Sequence, residues 1–190
     1  RIRFEQGNGP PLSLVPKTIG RARPQWIMLA EQGELHLEGA ALQIDQAAAR
    51  AGFQTMFSVV DSQLRLDRCR LLDANTNPAE DAVLVDWVGT TNGSAFIVIQ
   101  SSLQGAGIAL RAAGSRGRIA LDNVLLVGGR AAMQVAPQAA DGGCSIDVDW
   151  NHVTAASDGP AVDFRLPAED VAWNRKLRMF VENSAFLASS

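Results

Sequence analysis

Acidic side chains recur at matched places along this 190-residue chain. Glu38, Asp67, Asp122, Asp149 and Glu182 each close a short apolar stretch, and Asp147 stands two residues before Asp149. On a strand that spacing means a shared face, because side chains alternate with period two. Carboxylates stacked one strand apart repel, so such a row needs an offset. One offset is a hard cation. Calcium takes several oxygen ligands, and Asp122, Asp147 and Asp149 are the candidate ligands. The other offset is solvation, with each acid at a bend accepting hydrogen bonds from backbone N–H groups.

Other reactive side chains are sparse. His36 and His152 stand near no serine or cysteine at a nucleophile-like spacing, and no GxSxG string occurs. Both read as surface residues. Cys69 and Cys144 form no CxxC pair, which excludes a zinc site of the usual spacing and leaves two small buried thiols as the expectation. Trp150, next to Asp149, is expected to project from a bend, where it could stack on a sugar ring or a partner. The chain has no tyrosine, which weakens a carbohydrate site built on exposed aromatics.

Composition narrows the classes further. Hydrophobic residues make up 47% of the chain and the net charge is −3, the balance of a globular protein. The arginines are scattered and the only lysines are Lys17 and Lys176, so there is no basic footprint for nucleic acid. No apolar run approaches the length of a membrane span, and no signal peptide is visible at the start.

These residues are set by a repeat. A twelve-residue pattern begins at Glu34, Gln63, Ala95, Arg118, Ser145 and Arg178, at intervals of 29, 32, 23, 27 and 33 residues. Its second position is always apolar (Leu35, Leu64, Phe96, Ile119, Ile146, Met179), as is its fourth (Leu37, Leu66, Val98, Leu121, Val148, Val181). The ninth is Leu42, Leu71, Leu103, Leu126, Val153 and Phe186. Positions two and four share one face of a first strand, and seven and nine one face of a second. Between them Gly39, Asn123 and Asn183 mark a sharp bend, because these residue types tolerate positive φ. A third apolar segment precedes each copy, starting near Trp26, Met56, Ala82, Ile108, Ala132 and Val162. Loops of varying length follow the second strand, as at 76–78 and 141–143. Three short strands per unit, with like stacked on like, predict an all-β, right-handed, single-stranded parallel β-helix of about six rungs. Residues 1–25 would be an irregular lead-in or cap, and 26–190 the β-helix. The chain begins without Met and stops just after the sixth copy. The expectation is a piece of a longer protein, or two chains packed end to end.

From Trp26 to Ser190 the pattern resembles the pectin-lyase-like right-handed β-helix superfamily. In the enzymes of that superfamily the substrate usually lies along the outward face of one sheet, which the resemblance assigns here to the third-segment strands. The outward residues would be Met28 and Ala30, Ser58 and Val60, Leu84 and Asp86, Ala109 and Arg111, Gln134 and Ala136, and Asp163 and Arg165. Glycoside hydrolysis needs two nearby carboxyl groups. Asp86 and Asp163 fall three turns apart, about 14 Å at the strand spacing, which is too far. Arg111 and Arg165 could stand for the base of a pectate lyase, but adjacent turns do not supply the calcium-binding acids, and polygalacturonase motifs are absent. Asp86 beside Arg111 reads as an ion pair between neighbouring turns. The leading expectation is therefore a non-catalytic module of a larger, bacterial multidomain protein, of the kind that accompanies protein kinase domains among others. It would serve as a scaffold or as a lateral binding surface for a protein or polysaccharide. Candidate surface residues are Asp86, Arg111, Gln134, Asp163, Arg165 and Trp150. A lyase or hydrolase acting on acidic polysaccharide, and an adhesin or tailspike-like protein, are the alternatives.

Overall fold

In the computed structural model, residues 2–3, 12–13, 26–44, 55–75, 82–137, 144–165 and 175–188 are described. The variable loops at 76–78 and 141–143 lie outside them. The described residues form eighteen strands and no helix. The first two are short, β1 (Ile2–Arg3) and β2 (Leu12–Ser13). Then come β3 (Trp26–Glu31), β4 (Glu34–Glu38) and β5 (Ala41–Ile44). The next rung holds β6 (Thr55–Val60), β7 (Gln63–Asp67) and β8 (Arg70–Asp73). The third holds β9 (Val83–Gly89), β10 (Ala95–Ile99) and β11 (Ser102–Gly105). Beyond it β12 (Ile108–Gly114) leads into the long β13 (Arg116–Gly128), and β14 (Ala131–Pro137) into β15 (Cys144–Ser157). The last rung is β16 (Val162–Phe164), β17 (Arg175–Glu182) and β18 (Ala185–Ala188).

Every pairing between these strands is parallel. The third-segment strands make one sheet of six, in the order β16-β14-β12-β9-β6-β3. The first and second strands of the pattern stack as two ladders that β13 and β15 join by running through the bend. Parallel strands stacked like on like, with no helix among the described residues, make a coil whose turns stack at about 4.8 Å. The chain is a β-solenoid. The lead-in contributes to it, because β1 pairs with β4 and β2 with β5.

Apolar residues fill the inside as columns. Leu37, Leu66, Val98 and Leu121 stack in one, and Leu42, Leu71, Leu103 and Leu126 in another, each at most 2% exposed. Burying each such side chain contributes about 1.5–3 kcal/mol. The sheet of six adds Val59, Trp87, Ala112 and Val135. Leu84 and Ala109, expected outward by alternation, are also buried in this core. The ladders of β9, β12 and β14 skip their second residue, which breaks the two-residue alternation at the start of each strand.

The fifth copy sits in a different frame from the one its sequence suggests. Arg118 pairs with Asp147, Leu121 with Trp150 and Leu126 with Ala155. The copy therefore starts at Asp147, not Ser145, and its interior residues are Val148, Trp150 and Ala155. Trp150 is 1% exposed and stacks on Phe186 with ring centroids 5.6 Å apart. This corrects the expectation of a projecting, ligand-stacking Trp150.

The other large indole, Trp87, lies in a hollow lined by glycine. A Cβ on Gly117 would meet Trp87 Cζ2 at 2.7 Å and the Ser94 carbonyl oxygen at 2.5 Å, and the backbone there has φ +132. Substituting Gly117→Ala thus combines a clash with an unfavourable conformation. It should destabilise the protein by at least about 2 kcal/mol, read as a lower urea midpoint with an unchanged slope. An unchanged midpoint would show that the ring and backbone move apart freely.

Candidate functional site

Two surfaces bear polar side chains in register. The first is the outer face of the six-stranded sheet, where Ser58, Asp86, Arg111, Gln134 and Asp163 stack in consecutive turns. The structure brings together the sequence-derived candidates on this face. Arg111 donates to both carboxylate oxygens of Asp86, Nε at 2.8 Å and Nη2 at 2.6 Å. Gln134 Nε2 donates to Asp163 Oδ2 at 3.1 Å, and Arg165 Nε donates to the same oxygen at 2.8 Å. Burial pushes the Asp163 carboxyl up, but the hydrogen bonds from Arg165 and Gln134, with the charges of Arg165 and Arg130, hold it below its ordinary value. Asp86, Arg111, Gln134, Asp163 and Arg165 thus satisfy one another along this face.

The acids proposed as calcium ligands are parted by the frame of the fifth copy. Glu38, Asp67, Ile99, Asp122, Asn151 and Glu182 share one column, so Asp149 is not in it. Asp122 accepts from Asn151 Nδ2 at 2.8 Å. Asp147 stands between Arg118 and Arg178 and takes both Arg178 donors at 2.7 Å. Those hydrogen bonds pull its carboxyl down against desolvation by burial, and the Arg178 and Arg118 charges add to the lowering. Asp149 accepts from Arg118 Nε at 2.9 Å. Glu38 is nearly buried and pairs with Arg68, which also approaches Asp67 at 3.7 Å. Arginine and asparagine offset these carboxylates. Among the described residues no group of three or more His, Cys, Asp or Glu is placed to hold a metal ion.

The second surface was not singled out from sequence. At the bend between first and second strands, one residue per rung has positive φ: Gly39, Arg68, Gln100, Asn123, His152 and Asn183, between 48° and 70°. The N–H groups of Gly39, Arg68 and Gln100 donate to Asp67, Ile99 and Asp122 carbonyls of the following rung at 2.9–3.0 Å. Serines behind the bend add a second tie. Ser101 Oγ donates to the Ile99 carbonyl at 2.6 Å and accepts from the Cys69 N–H at 2.8 Å, and Ser184 repeats this with Glu182 and Val153. Outside, Gln100, Asn123 and His152 follow one another in consecutive turns and line an open groove of about 390 Å³ with Ser101, Val124, Leu125 and Thr154. Gln100, Asn123 and His152 are exposed, and their side chains have no hydrogen bond or ion pair among the described residues. Of the three only Asn123 is marked as a bend residue by the sequence, because Gln100 and His152 take the same positive-φ position with residue types that do not signal it.

No family model matches the chain, and neither a curated protein nor a solved structure matches it. Among the described residues no helix is long and apolar enough to cross a membrane.

The lowered Asp163 carboxyl gives a pH test with a definite sign. A group whose folded pKa lies below its unfolded value adds stability above the unfolded pKa, and that stability is lost as pH falls through the folded pKa. Wild type should therefore exceed Asp163→Asn in unfolding free energy by a constant amount above pH 3.8, the ordinary value for this carboxyl. The gap should close below it. A gap independent of pH down to the acid transition would remove the charge from the account.

Proposed function

We propose that this chain is a non-catalytic module, akin to the pectin-lyase-like β-helices, that serves a larger protein as a rigid scaffold with a lateral binding surface. One observation carries the reading. Asp86, Arg111, Gln134, Asp163 and Arg165 on the flat outer face spend their hydrogen bonds on each other, whereas Gln100, Asn123 and His152 in the corner groove spend none. Catalysis on the flat face is disfavoured by the same geometry. A general acid must hold a proton near neutral pH, and Asp163 is biased toward the charged form.

The corner row offers amide and imidazole groups at about 4.8 Å intervals beside an exposed aliphatic edge at Leu125. The groove lining includes no carboxylate or guanidinium, and Arg68, the corner residue of the turn before Gln100, is paired with Glu38. That chemistry suits an extended polymer of hydroxyl groups, and we assign an uncharged polysaccharide as the ligand class. Hydrogen bonds to neutral groups are each worth about 0.5–1.5 kcal/mol net, so several must act together.

Affinity electrophoresis through gels containing neutral or acidic polysaccharides tests the reading. A neutral polymer should retard the protein, and Asn123→Ala with His152→Ala should weaken binding by about tenfold, as loss of two such bonds implies. Arg111→Ala should leave retardation unchanged. Equal binding by the double variant would place the surface elsewhere, and release of reducing or unsaturated ends from any polymer would overturn the non-catalytic reading.

A further inference from the structure

The corner that leads from the six-stranded sheet into the first strands of the pattern is tight on either side of the third rung. Asp61 and Ser62 make it between β6 and β7, and Ser115 alone makes it between β12 and β13. Between β9 and β10 the chain spends five residues, 90–94, on the same corner. Thr90, Thr91, Asn92 and Gly93 of this loop are exposed. Its two ends are pinned to the turn before. Thr90 donates to the Asp61 carboxylate from its N–H at 2.6 Å and from Oγ1 at 2.7 Å, and Ser94 Oγ donates to it at 3.3 Å. The Ser94 N–H closes a turn onto the Thr91 carbonyl at 3.1 Å, and Ser94 is 1% exposed. The tip is not pinned. Neither the Asn92 side chain nor the Gly93 N–H has a hydrogen-bond partner among the described residues, and a Cβ on Gly93 would meet nothing within 4 Å.

Among the described residues this is the only Asn-Gly pair. An asparagine side chain lies close to the backbone nitrogen that follows it, and glycine leaves that nitrogen without a Cβ beside it. We propose that Asn92 is a self-modification site, converting to isoaspartate at the tip of this loop. The Gly93 nitrogen attacks Asn92 Cγ. The new N–Cγ bond forms as the Cγ–Nδ2 bond breaks, and the side-chain nitrogen leaves as ammonia with the proton of the Gly93 amide. Water then opens the succinimide ring. Opening at the Cγ–N bond gives aspartate, and opening at the main-chain carbonyl gives isoaspartate, in which the chain runs through the former side chain. Either product adds one negative charge to the net −3. Asn123 and Asn151 lie instead within β13 and β15. Asn151 spends its amide on Asp122, and Val124 shields the nitrogen after Asn123 with a branched side chain. The ties to Asp61 involve neither Asn92 nor Gly93, so the rungs keep their register while the tip gains a carboxylate.

Peptide mapping by mass spectrometry tests this on the folded chain, incubated at mildly alkaline pH in heavy-oxygen water. The peptide holding Asn92 should exchange its amide for a carboxyl that carries one heavy oxygen, and should separate into aspartate and isoaspartate forms with isoaspartate in excess. Peptides holding Asn123 and Asn151 should stay unchanged over the same time. Conversion should quicken as pH rises, because the attacking nitrogen must lose its proton. Gly93→Ala has open space for its Cβ and no left-handed φ, so its thermal melting should match wild type. Conversion at Asn92 should nevertheless slow at least about tenfold in that variant, because the Cβ hinders the approach of the nitrogen. Asn92 left intact in the folded chain while the urea-unfolded chain converts would overturn the proposal, since the turn would then be holding the reacting atoms apart. Equal rates in wild type and Gly93→Ala would overturn it as well.

Discussion

At the corner between the first and second strands of each rung, one residue turns to positive φ so that its N–H still points at the next rung. Gly39, Arg68 and Gln100 donate there to the following turn's carbonyl, and β13 and β15 run through the corner as unbroken strands. The rest of the solenoid depends on this. A corner that dropped its hydrogen bond would leave a donor buried between turns, at a cost of about 1–3 kcal/mol. Left-handed φ costs a non-glycine residue roughly 1–2 kcal/mol, and Arg68, Gln100, Asn123, His152 and Asn183 all adopt it. The cost is offset because each corner aligns two interior columns whose burial contributes more than one bend takes away.

Stacking in strict register also forces like positions together, so charge must be arranged by turn. Arg118, Asp147 and Arg178 alternate in one column, and Asp86 meets Arg111 in another. Surface pairs of this kind add little stability, about 0–1 kcal/mol each. Their larger contribution is to specificity. Moving the fifth copy by two residues would put Ser145 between Arg118 and Arg178 and bring two guanidinium groups close with no acid between them. The ion pairs penalise the wrong frame more than they reward the right one.

That frame marks how far the sequence could be read. The other five copies were legible in register, although the sixth also has three alternating apolar residues, Leu177, Met179 and Val181, before Asn183 at its bend. The fifth offers three, Ile146, Val148 and Trp150, and hydrophobic periodicity fits two frames equally. Residue type at the bend did not help, since the turn falls on His152 and not on the adjacent Asn151. The alternation of Arg118, Asp147 and Arg178 would have decided it. The error moved Trp150 to the surface and grouped Asp149 with Asp122. The stacking of the flat-face residues was read in the right register, because β9, β12, β14 and β16 pair through Asp86, Arg111, Gln134 and Asp163.

Satisfaction of side chains differs by place for a geometric reason. On a flat sheet, side chains in one column rise parallel at the rung spacing, and long ones such as Arg111 reach along the axis to a neighbour. At a convex corner they radiate, and short ones such as Asn123 are directed away from the molecule. A column of Asp, Gln and Arg on the flat face therefore closes on itself, while a column of Gln, Asn and His at the corner stays open to solvent. The corner residue is also the one whose backbone is most constrained, so its side chain starts from a fixed point. Groups that are open and yet firmly held suit a ligand that repeats along an axis, because little ordering cost remains at binding. At Gln100, Asn123 and His152 the position that makes the coil possible is thus also the position left with hydrogen-bonding capacity to offer.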